Sequence, residues 1–129
     1  MAQGLKTNLD PLVIGTDFNY PFDVRNEAQT ASIDITGFAL SWMLKRALTD
    51  LDAAAALTLT TGGSTIIING TYNVDPAVNT QRATVTIADT DTDALNPGVY
   101  HWELKRTDAG LESRLAYGSV PLVRGVHRA

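Results

Sequence analysis

Phe38-Ala39-Leu40-Ser41-Trp42-Met43-Leu44-Lys45-Arg46 is the stretch whose reading decides the fold. Phe38, Leu40, Trp42 and Leu44 recur at every second residue, and Ala39, Ser41, Met43 and Lys45 fill the places between them. A period of two puts the first set on one face of an extended strand. Leu, Ala, Met and Lys also favour helices, so a helix through Ala39 to Ala56 competes. The tryptophan-centred alternation and the turn-like Thr49-Asp50 favour the strand, with a short helical turn over Leu51 to Ala55.

The same period recurs downstream. Tyr100, Trp102 and Leu104 share one face of Val99–Arg106, and His101, Glu103 and Lys105 the other. Ala83, Val85 and Ile87 point inward from Arg82–Ala88. Upstream, Phe18, Tyr20, Phe22 and Val24 alternate, and Pro21 among them requires an edge or a kink because it has no N–H to donate. Further strands are expected at Pro11–Ile14, Ser32–Gly37, Leu57–Thr60, Ile66–Ile68, Glu112–Gly118 and Val120–Val123. Asn69-Gly70 reads as a hairpin turn, Thr61-Gly62-Gly63-Ser64 and Asp108-Ala109-Gly110 as further turns. About seven to nine short strands between turn signals make an all-β antiparallel sandwich. The two tryptophan strands are expected to face each other across its interior.

The 129 residues suit a single domain, 44% hydrophobic and 19% charged. Residues 1–10 read as a flexible N-terminal arm, 11–123 as the sandwich and 124–129 as a short basic tail. The chain has no cysteine, so thiolate metal sites, disulfides and cysteine nucleophiles are excluded. A net charge of −4 without a basic stripe argues against nucleic acid. No apolar run reaches the length of a membrane span, and Met1–Asp10 carries no signal pattern.

Candidate chemistry is sparse. His101 is expected on the outer face and His127 in the tail, and no motif places a partner beside either. Asp89, Asp91 and Asp93 form the one candidate metal cluster. Counted from Asp89 as an EF-hand loop, the sixth position should be Gly and the twelfth Glu; here they are Ala94 and Tyr100. The alternative is a solvated acidic turn or a helix cap. Asn69-Gly70-Thr71 fits a glycosylation acceptor as well as a turn. Lys45-Arg46 and Lys105-Arg106 end the tryptophan strands alike, either as a shared basic patch or as charged strand ends. No catalytic residue and no cofactor are expected.

Asp34-Ile35-Thr36-Gly37-Phe38 leading into the Trp42 strand, then Pro97-Gly98-Val99-Tyr100 opening the Trp102 strand, then Leu115-Ala116-Tyr117-Gly118-Ser119-Val120, resemble the immunoglobulin-like β-sandwich domains of phage tail and baseplate proteins. The N-terminal domain of upper baseplate proteins is among these. The resemblance runs from Asp17 to Val123 and rests on fold elements. It implies a non-enzymatic virion structural protein, made in the bacterial host cytoplasm and acting in the particle. Its implied partners are other virion proteins and further copies of itself, with neither nucleic acid nor membrane. A single such domain would serve as a tail or baseplate component or connector, or as a capsid or tail decoration. A carbohydrate-binding module using Tyr72 or His101 is the alternative on the same fold.

Overall fold

Alternation dictates the architecture strand by strand, as seen in a computed structural model that describes residues 5–26 and 28–125. In chain order the strands are β1 (Leu5–Lys6), β2 (Leu12–Ile14), β3 (Phe18–Phe22), β4 (Leu40–Lys45), β5 (Leu57–Thr60), β6 (Ile66–Asn69), β7 (Arg82–Ile87), β8 (Gly98–Arg106) and β9 (Ser113–Arg124). A 3₁₀ turn at Asp52–Ala54 lies within the stretch read as a helical turn. One helical turn, α1 (Asp89–Thr92), joins β7 to β8.

The strands form two sheets. The larger runs β1-β9-β8-β4-β5, with β2 also on β9; the smaller runs β3-β7-β6. Neighbours pair antiparallel, except that β1 and β2 run parallel to β9. This is the immunoglobulin-like sandwich, in which strands B, E and D face strands C, F and G. Here β3, β7 and β6 fill the first role and β4, β8 and β9 the second.

The inward sets of the tryptophan strands are buried as the period requires. Leu40, Trp42 and Leu44 are inaccessible or nearly so, as are Trp102 and Leu104. The two strands are nevertheless neighbours in one sheet, with Trp42 opposite Leu104 and Leu44 opposite Trp102. Both indoles therefore project from the same side. What faces them across the interior is Phe18, Tyr20 and Phe22 of β3: Tyr20 lies 6.5 Å from Trp42 and Phe22 lies 5.2 Å from Trp102, ring centre to ring centre. Period fixes which face a residue takes, but not which sheet its strand joins. Each large aromatic removes about 150–250 Å² from water, so this cluster carries much of the core's stabilisation. Pro21 is exposed and β3 is an edge strand, which accommodates the missing N–H.

Four further expectations are corrected. The arm is not loose over its described part: Leu5 and Lys6 pair with Ala116 and Tyr117, and the Thr7 and Leu9 amides donate to Tyr117 and Ser119 carbonyls. These are main-chain contacts along an edge, so they leave no hydrophobic period to read. Residues 1–4 lie outside the described residues. Ser32–Gly37 forms no strand beyond a single bridge from Ser32 to Arg25. Asn69-Gly70 ends β6 without closing a hairpin: Asn69 already pairs with Arg82, and the intervening residues 70–81 form a long loop. At the other terminus β9 is one continuous strand through Arg124, so the sheet reaches into the expected tail. Its last residues, 126–129, fall outside the described residues, His127 among them.

Candidate functional site

The outward sets of β4, β8 and β9 build a grooved surface. Strand register arranges them in rows. Ser41, Lys105 and Arg114 form the first, Met43, Glu103, Tyr117 and Lys6 the second, and Lys45, His101 and Ser119 the third. Asn8 extends the third row, because its side-chain oxygen accepts from the Ser119 amide at 3.3 Å and hydroxyl at 3.1 Å. The long connection from β4 to β5 brings Leu48 and Asp52 to the rim. Together these residues line a groove of about 550 Å³, within the usual range for ligand-binding clefts.

Charges on this face are partly paired. The Lys45 ammonium donates to Asp52 Oδ1 at 2.7 Å and to the Asp50 carbonyl at 3.0 Å. That bond and the lysine charge hold the Asp52 carboxyl below the usual range. Arg114 lies 4.0 Å from Glu103 and stacks over Tyr117, its guanidinium 3.7 Å from the ring centre. Lys45-Arg46 and Lys105-Arg106 do not share one end, because antiparallel neighbours send the ends of β4 and β8 in opposite directions. Lys45 sits opposite His101, and Arg106 opposite Leu40. Only the two lysines meet the same groove. Arg46 instead lies over Tyr100, and Arg106 lies 3.7 Å from the centre of the Phe38 ring.

His101 lies on the outer face, half-buried in the third row. Ser119, its cross-strand neighbour, donates its hydroxyl to Asn8. Tyr72 is on a different surface, in the loop after β6, where its hydroxyl donates to the Ser32 carbonyl at 3.0 Å. The two residues named for a glycan site are therefore not brought together.

Asp89, Asp91 and Asp93 lie on and just after α1, where the first two carboxylates accept local main-chain hydrogen bonds. Asp91 accepts from the Ala88 amide at 2.9 Å, and Asp89 from the Thr90 amide at 2.8 Å. The Asp89 amide itself donates to Asp17 at 2.8 Å, and Asp93 packs beside Gly15. Buried Thr92 accepts from the Gly15 amide at 2.9 Å and so ties the end of β2 to this turn. Among the described residues no three histidine, aspartate or glutamate side chains converge as a metal ion requires.

Sequence reasoning missed a polar knot at the opposite end of the sandwich. Asp23 accepts from Arg25 at 3.0 Å, Ser32 at 3.1 Å and Asn79 at 2.9 Å. Gln81 accepts from the Ile35 amide at 3.1 Å and donates to Thr36 at 2.9 Å and Asp34 at 3.2 Å. Burial alone would raise the Asp23 pKa. The hydrogen bonds from Arg25, Ser32 and Asn79, with the Arg25 charge, outweigh that and hold it below the ordinary value. The knot pins the loop before β4 to the loop before β7, and each buried polar group has a partner. Its one sequence signal is polar residues in two loops, which is no signal at all.

Hallmarks of the immunoglobulin-like class complete the geometry. The Tyr100 hydroxyl, at the start of β8, donates back to the Asn96 carbonyl at 2.8 Å, which is the tyrosine corner of such domains. In antibody domains a cysteine follows that tyrosine by two residues; here Trp102 occupies the place. No protein-family model, curated protein or solved structure matches the chain. The class therefore rests on topology, on the tyrosine corner and on the buried Trp42 of β4, the strand in the place of strand C.

Proposed function

We propose that the chain is a non-enzymatic structural module of a phage particle, a tail or baseplate component or connector that works through protein–protein contacts. The observation that carries this reading is the grooved outer face of the larger sheet. Its side chains stand on paired strands and need little ordering on contact, which favours association of preformed surfaces. Leu48 at the rim is 76% exposed, and Leu51 in the same loop is 78% exposed; exposed apolar side chains of this kind contribute to interaction sites. The phage setting is supported by the Asp34-Ile35-Thr36-Gly37 and Pro97-Gly98-Val99-Tyr100 elements, both of which have structural work here. Thr36 and Asp34 hold Gln81 in the polar knot, and Pro97-Gly98 leads into the tyrosine corner.

Immunogold labelling of purified phage particles with an antibody to the chain tests the proposal. Label at the tail or baseplate is the expected result. Label over the capsid would reassign the chain as a decoration protein, and particles without the chain would overturn the reading.

A further inference from the structure

Two surfaces of this molecule carry opposite charge. The groove presents Lys6, Lys45, Lys105 and Arg114 against Asp52 and Glu103, and so is positive on a chain whose net charge is −4. At one end of the sandwich Asp17, Asp89, Asp91 and Asp93 gather around α1. Asp17, Asp89 and Asp93 are exposed, and none of the four forms an ion pair among the described residues. None of them lines the groove.

We infer that the groove receives the acidic α1 turn of a second copy of this chain. The inference rests on the assembly reading above and names its partner. Charge selects this pairing over a face-to-face dimer, because two stacked grooves would set lysine against lysine in a shared, partly desolvated interface. The contact brings the Asp89 and Asp93 carboxylates to the Lys6 and Lys105 ammonium groups and covers Leu48. Groove and acidic turn are separate patches of one copy, so each contact leaves one groove and one turn unfilled. Such a heterologous contact closes into a ring or continues as a filament, which is how repeated copies build a particle.

Sedimentation equilibrium of the full chain tests this. At low salt the weight-average mass should climb above the 13.9 kDa monomer as concentration rises. It should return to the monomer in about 1 M salt, where charges are screened beyond about 3 Å. Lys105→Glu alone, and Asp89→Lys with Asp93→Lys alone, should each remain monomeric at low salt while keeping the native circular dichroism. Mixed, the two variants should associate again, because the acidic turn of the first meets the intact groove of the second. A wild-type chain that is monomeric under all conditions overturns the inference, as does a mixture that stays monomeric. Self-association that survives the aspartate substitutions points to face-to-face pairing and overturns it too. Particle labelling is independent: a labelled particle with a monomeric chain keeps the assembly reading and removes only this contact.

Discussion

Phe22 of β3 and Trp102 of β8 meet across the two sheets with ring centres 5.2 Å apart and planes tilted by 36°. Trp102 follows the corner tyrosine by two residues, the place that a disulfide cysteine takes in antibody domains. The contact therefore joins the sheets where a covalent bridge does elsewhere, and it does so by packing. Trp42 lies 6.5 Å from Trp102 and completes the cluster. Trp102→Ala should cost about 3–5 kcal/mol, as other large-to-small aromatic replacements in cores do. Phe22→Ala, at a partly buried site, should cost less. The double variant should fall short of the sum by about 0.5–1.5 kcal/mol, the coupling usual for an aromatic pair. Urea unfolding of the four chains measures this, and strict additivity would show that the rings contribute area alone.

Among the described residues neither buried indole N–H has a hydrogen-bond partner, which makes the cluster unusual among buried polar groups. The tyrosine corner is the better satisfied neighbour. The Tyr100 hydroxyl donates to Asn96 and accepts from Arg46 at 3.2 Å. Tyr100→Phe keeps the ring and removes both bonds, so the expected loss is about 1–2 kcal/mol. Arg46→Ala should cost less, because it leaves the Asn96 bond in place. Thermal or urea midpoints of the two variants give the order, and an equal loss from both would assign the corner's stabilisation to the arginine.

The strands and their inward faces were legible because burial on one side of a pleat writes a period of two into the residues. Phe38–Arg46 and Val99–Arg106 show it most clearly. Strand partners were not legible. Nothing within Leu40–Lys45 or Gly98–Arg106 says that these strands lie side by side, since register depends on contacts distant in sequence. The groove was half legible: the outward residues Met43, Lys45, His101, Glu103 and Lys105 were readable, but their rows appear only once register is known. Lys6 and Asn8 were hidden, because an edge strand held through its main chain selects no residue type. The polar knot at Asp23 was hidden for the reason that loops give no period.

The knot makes stability depend on acid in a defined direction. The Asp23 pKa is lower in the folded protein than its ordinary value near 3.8. A carboxyl depressed by folding contributes stability above its unfolded pKa, and that contribution is lost as pH falls through the folded value. The wild-type chain should thus lose more stability between neutral pH and pH about 3 than Asp23→Asn does. At neutral pH the variant should be the weaker by about 1–3 kcal/mol, since Ser32 and Asn79 lose a charged acceptor in a mostly buried site. Urea midpoints at the two pH values separate the cases, and parallel acid losses in both chains would remove Asp23 from the account.

Gly118 is where the N-terminal strand depends on the absence of a side chain. A Cβ there would overlap the Thr7 carbonyl oxygen and press on the Trp102 indole nitrogen. The Thr7 and Leu9 amides donate to the carbonyls of Tyr117 and Ser119 on either side of it, so the close approach is what lets β1 lie on β9. In Gly118→Ala one of the two neighbours must move. The backbone around Thr7 is held along a sheet edge by main-chain bonds and by the Asn8 side chain, whereas Trp102 is packed against Phe22 and Trp42 in the core, so β1 is the element that yields. Hydrogen exchange should then speed up at Thr7 and Leu9 while the amides that pair β4 with β8 keep their protection. Because Lys6 and Asn8 line one wall of the groove, the same substitution should also open that wall. Exchange that rises evenly across β8 instead would mean that Trp102 had shifted and that β1 is the firmer of the two.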